Sequence, residues 1–106
     1  MVKTKAEVDN IIRDALAALS KEIRIDGAFL FGSYAAGTAH ENSDIDIAVF
    51  SSSVDGWPLE KKFRLSGKIK DISPYIELHI YSGKSLKEAR PTNFYGHIME
   101  TGKKVA

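Results

Sequence analysis

Gly27-Ala28-Phe29-Leu30-Phe31-Gly32-Ser33 and Ser43-Asp44-Ile45-Asp46-Ile47-Ala48-Val49-Phe50 decide how this chain folds. The first is a short apolar run with two aromatics, ended by glycine, and its length favours a buried strand over a helix. The second alternates polar and apolar residues and reads as another strand. The intervening segment from Ser33 to Asn42 is small and polar with Gly37 inside it, which predicts a tight turn with room for one helical turn. On a strand, residues two apart share a face, so Asp44 and Asp46 should point one way and Ile45, Ile47 and Val49 the other.

Working outward, Thr4-Lys5-Ala6-Glu7 has the form of a capping box. Val8, Ile11, Ile12, Ala15, Leu16 and Leu19 then recur at three- and four-residue steps and predict an amphipathic helix. Ser51 to Pro58 reads as a loop from its serines, glycine and proline. Leu59 to Ile72 reads as a helix weakened by Gly67. Tyr75 to Tyr81 alternates with Ile76, Leu78 and Ile80 on one face, a third strand. Pro91 marks a break before a short helix from Phe94 to Thr101, stopped at Gly102. The order helix, strand, turn, strand, helix, strand, helix predicts an α/β or α+β fold: a small mixed sheet flanked by helices. Residues 1–106 are expected to form one domain.

Composition excludes several classes. Fifteen Lys and Arg against fourteen Asp and Glu give a formal charge of +1, which offers no general grip on nucleic acid. No apolar run approaches the ~20 residues of a membrane span. With no cysteine there are no disulfides, thiolate metal sites or cysteine nucleophiles. A cytoplasmic location is the expectation.

The chemistry is expected at the two strand ends. Paired carboxylates repel one another, and a hard divalent cation such as magnesium or manganese relieves that repulsion. Gly32 would let backbone approach a ligand, and the amides and hydroxyl that follow can donate to phosphate oxygens. Each feature has a bland reading: an acidic solvated strand face, and an ordinary strand-ending turn. Together they are more specific. Ten residues lie between Ser33 and Asp44, enough for one turn and a return. A triphosphate on the turn would then meet a cation on the aspartates.

Leu30-Phe31-Gly32-Ser33-Tyr34-Ala35-Ala36-Gly37 followed by Asn42-Ser43-Asp44-Ile45-Asp46-Ile47-Ala48-Val49 resembles the signature of the DNA polymerase β-like nucleotidyltransferase superfamily. In size, and in the tail from Phe94 to Lys103, the chain is similar to the minimal nucleotidyltransferases, the MNT type known as antitoxins. The resemblance implies transfer of a nucleoside monophosphate from ATP or another triphosphate, with Mg2+ or Mn2+ on Asp44 and Asp46. It implies a third metal carboxylate at Glu77, where the family more often has aspartate. It places the phosphates on Gly32 and Ser33. The arginine that the family often carries after the glycine-serine is missing from Tyr34 to Thr38. The resemblance also implies a partner, a small helical protein of the HEPN type, on which AMP would be placed. The competing expectation is a non-catalytic module that neutralises its partner by contact.

The remaining polar residues are read more plainly. His79 shares a face with Glu77 and is expected to be structural. Lys61, Lys62, Arg64, Lys68 and Lys70 read as a solvated helix face. Trp57, Tyr75 and Tyr81 are candidate partner contacts.

Overall fold

The structure is a computed structural model that describes residues 3–87 and 94–106. Its first helix, α1 (Lys5–Leu19), begins with the expected reciprocal cap. Glu7 N donates to Thr4 Oγ1 at 3.2 Å, and Thr4 N donates to Glu7 Oε1 at 3.0 Å. These bonds satisfy two amides that a helix start leaves without acceptors. The chain continues through β1 (Gly27–Phe31), a single turn α2 (Ser33–Ala36), β2 (Ile45–Ser51), a 3-10 turn at Ser52–Val54, and α3 (Leu59–Ile72). It ends with β3 (Ile76–Ser82), α4 (Gly83–Lys87), α5 (Phe94–Thr101) and β4 (Lys103–Lys104).

The sheet runs β3-β2-β1-β4. Strand β1 is antiparallel to β2 and β4, whereas β2 and β3 are parallel. A parallel pair needs a crossover, and α3 supplies it. The sheet is therefore mixed and flanked by helices, as the sequence predicts.

Register assigns each side chain a face. Ala28, Leu30, Ile45, Ile47, Val49, Ile76, Leu78 and Ile80 share one face. They are buried against Val8, Ile12, Ala15 and Leu19 of α1 and Leu65 and Ile69 of α3. On the opposite face, a smaller cluster of Phe29, Ala48, Phe50 and Ile98 gathers under α5. Phe29 and Phe50 meet edge to face there, with centroids 5.9 Å apart. Among the described residues, the rest of that face stays open.

Four differences from the sequence reading have local causes. Strand β2 starts at Ile45, so Asp44 precedes it. Ile45 N donates to Tyr75 O at 2.8 Å and pins the strand's first residue. Ser51 is in the strand, and the predicted loop after it contains the 3-10 turn, capped by Ser53 N donating to Ser51 Oγ at 3.1 Å. Helix α4 was hidden in a polar stretch, because at five residues it is too short to show a period. A fourth strand, β4, pairs with β1 at Phe29 and Leu30, and two charged lysines carry no strand pattern.

The last helix stops at Gly102 as expected. A Cβ there would lie 2.7 Å from Leu30 O and collide, so glycine is needed where the tail turns onto β1. Gly67 does not interrupt α3, because Leu65 and Ile69 are anchored in the core and Ser66 Oγ donates to Leu78 O at 3.1 Å. The break expected at Pro91 lies outside the described residues.

Candidate active site

The open face is built from the ends of β1, β2 and β3. Phe31 pairs with Asp46 across the antiparallel ladder, and Asp46 stands opposite Glu77 across the parallel one. Glycine-serine, aspartate and glutamate, separated widely in sequence, thus meet at one corner of the sheet.

Gly32 sits at φ 75° and ψ −153°, a backbone conformation that L side chains rarely adopt. The reason is spatial as well as conformational. A Cβ on Gly32 would fall onto Asp46 Oδ2, with Asp46 Cγ only 3.2 Å away. The bare backbone therefore presses against the aspartate carboxylate. Ser33 opens α2 directly after it, so the amides at the start of this turn have no acceptor within the helix.

Asp46 is half-buried. His79 Nε2 lies 3.3 Å from Asp46 Oδ1 and donates to it in the Nε2–H tautomer. The His79 ring is itself held edge-on by Phe31, with centroids 5.1 Å apart. The histidine read as structural thus touches the site's central carboxylate.

Glu77 is also partnered. Lys70 Nζ, from the last turn of α3, donates to Glu77 Oε2 at 3.0 Å. This bond, more than any other influence, holds the Lys70 ammonium above the usual lysine range, and the charges of Glu77, Asp44 and Asp46 add to it. Lys70 belongs to the basic stretch that the sequence reading placed on a solvated face. Only its contact across the edge of β3 sets it apart, and linear sequence carries no signal of that contact.

Asp44 is exposed and stands just before β2. The preceding turn is tied by Ser43 N donating to His40 O and His40 N donating to Ser43 Oγ, each at 2.9 Å. His40 therefore braces the segment that delivers Asp44.

Three carboxylates near one ammonium make an oxygen-rich, anionic corner whose donor chemistry suits a hard divalent cation. The cradle formed by Gly32 against Asp46 suits close approach of phosphate. Among the described residues, no three His, Asp or Glu side chains converge at metal-ligand spacing. Asp46 is turned to His79 and Glu77 to Lys70, so loading a cation requires those side chains to reorient.

The aromatic candidates separate. Tyr75 is exposed, and Lys3 Nζ lies 3.7 Å above its ring. Trp57 is half-buried against the core beneath Lys61, and Tyr81 packs on Phe50, so both are anchors in the fold. Leu59 and Phe63, at 62% and 65% exposure, are the large apolar side chains that α3 leaves open at its start. They border a groove of about 370 Å³ beside Glu77, His79 and Tyr81.

Comparisons with known proteins bear on the family and the fold. A 38-residue stretch is 50% identical to protein adenylyltransferase MntA of Shewanella oneidensis, covering 32% of this chain and 27% of that protein. The fold is similar to that of a Sulfolobus solfataricus protein assigned as a nucleotidyltransferase. That match has a TM-score of 0.62 and 17% identity over 83% of each chain. It is also similar to a chain in a toxin-antitoxin structure with AMP-PNP, at TM-score 0.63 and 26% identity, over 92% of this chain and 72% of that one. Residues 14–106 match the profile described as polymerase beta, nucleotidyltransferase, and the chain belongs to that family.

Proposed function

We propose that this chain transfers a nucleoside monophosphate, AMP from ATP, to a hydroxyl on a partner protein. The observation that carries the proposal is the contact of Gly32 with Asp46 directly opposite Glu77. A phosphate turn and an acidic pair are each common, but placing one against the other suits chemistry at phosphorus. The MntA likeness supports AMP as the group transferred, and the AMP-PNP in the similar toxin-antitoxin structure supports an adenine triphosphate.

In this reading the β- and γ-phosphates rest on Gly32 and Ser33, with Ser33 Oγ and the amides opening α2 donating to their oxygens. Asp44, Asp46 and Glu77 would hold Mg2+ or Mn2+, which neutralises charge on the phosphate oxygens. His79 engages one oxygen of Asp46 and is itself packed edge-on by Phe31. Glu77 would also help to take the proton of the incoming hydroxyl. That oxygen attacks the α-phosphorus, and pyrophosphate leaves.

The acceptor must be held in line, an advantage worth several kcal/mol of barrier, on the order of 7 or more at best. Leu59 and Phe63 offer an apolar surface beside the groove that leads to Glu77, which supports a protein partner contacting this side. A small helical protein of the HEPN type fits the toxin-antitoxin likeness.

The test uses α-labelled ATP, magnesium and the product of an adjacent gene. Label should appear on a partner side-chain hydroxyl and be lost with Asp46→Asn. Equal labelling by Asp46→Asn would overturn the assignment. A partner neutralised without any nucleotide would favour the contact-only module instead.

A further inference from the structure

We propose that Lys70 is a tethered cation that competes with the divalent metal for the site's carboxylates, so the metal enters only by displacing Lys70 from Glu77. The inference rests on reading Asp44, Asp46 and Glu77 as a cation site. Its observation is independent of that reading: an ammonium from the covered side of the sheet reaches around the edge strand to the open face.

Helix α3 packs on the face opposite Glu77, through Leu65 and Ile69. Three of its other cations are engaged elsewhere. Lys61 lies over Trp57, Arg64 pairs with Glu60 at 2.7 Å, and Lys68 pairs with Glu22. Lys70 instead extends past β3, the outer strand of the sheet, to Glu77 at 3.0 Å. The same arrangement explains why the carboxylates do not converge. Glu77 is drawn to the sheet edge by Lys70, while Asp46 is turned to His79. A divalent ion carries twice the charge of an ammonium and takes several oxygen ligands, so it can displace the lysine. While Lys70 is in place, it weakens metal binding by occupying Glu77 and repelling the incoming cation. Lys70 is thus a positioning residue that sets metal affinity.

Manganese binding to the full chain, followed by the electron paramagnetic resonance of free Mn2+ without nucleotide, tests this. Lys70→Met should bind Mn2+ about tenfold more tightly than the unmodified chain, the scale expected for removing one nearby positive charge in a partly exposed site. Lys70→Arg keeps the charge and should stay within about threefold of the unmodified chain. Lys62→Met removes a lysine from the same helix and should also stay close. Thermal unfolding reports whether each variant is folded, and Lys70→Gln serves if Lys70→Met is not. Unchanged or weaker binding by the folded neutral variant would overturn the inference, as would an equal gain in Lys62→Met. Mn2+ binding that Asp46→Asn leaves intact, or none in any variant, would instead bring down the cation-site reading and this inference with it.

Discussion

The two faces of the sheet obey different rules. On the covered face, Ile45, Ile47, Val49 and Ile76 are at most 1% exposed, and any apolar set that filled the same volume would serve. On the open face, at the same strand positions shifted by one residue, stand Asp46, Glu77 and His79, all half-exposed. Folding alone gives no reason for two carboxylates to stand opposite each other on neighbouring strands, since like charges there destabilise. The difference teaches that one face is specified by packing and the other by chemistry, although a single backbone carries both.

That contrast can be broken from either side. The largest effect is expected on the covered face. Ile47→Ala removes most of a side chain that is 1% exposed and leaves a cavity between β2 and the helices, costing about 2–5 kcal/mol in chemical denaturation. Where the variant remains folded, its metal and nucleotide affinities should be kept. A normal unfolding midpoint would show that the covered face is not the stabilising one.

On the open face the outcome should invert. Ser33→Ala deletes one hydroxyl donor to phosphate, a loss typically worth about 1.5–3 kcal/mol for a charged partner. Triphosphate binding should weaken by about tenfold to a hundredfold, while the unfolding midpoint stays nearly unchanged. Unaltered affinity for AMP-PNP in calorimetry would remove Ser33 from the site.

A third change sharpens the comparison, because it concerns polar groups that serve the fold. Asp26 accepts from Ser52 N at 2.6 Å and pairs with Arg24 Nε at 3.0 Å. The Ser52 amide bond, chiefly, holds its carboxyl below the ordinary aspartate value, with Arg24 adding to this. A carboxyl depressed in the folded state stabilises fully above its unfolded value of about 3.9 and loses that contribution as pH falls through the lower folded value. Asp26→Asn should therefore lower the unfolding midpoint slightly at neutral pH, and the gap should close in strong acid. A gap that stayed constant with pH would remove the charge from the explanation.

Much of this arrangement was legible in the chain. The alternation in Ile45 to Val49 and in Ile76 to Ile80 assigned both faces, because a period of two leaves a side chain only two directions. The glycine before Ser33 announced a close approach, though not its target. Short elements were not legible: α4 and β4 fall in polar stretches without a period. The sequence pattern starts the second strand at Ser43, two residues early, since the start of β2 is decided by the bond from Ile45 to Tyr75. Lys70 and His79 carry no local signal of their contacts, because their partners, seven and thirty-three residues away, lie across an edge and a face that pattern does not relate.

Local sequence therefore settled the element types, the core face and the identity of the chemical groups, since each depends on neighbours a few residues apart. Strand order and register decided the rest. They alone set Gly32 against Asp46, Asp46 opposite Glu77, and Lys70 around the sheet edge. Such juxtapositions depend on how distant segments pair, and backbone hydrogen bonding between strands imposes that pairing only when the whole sheet has formed.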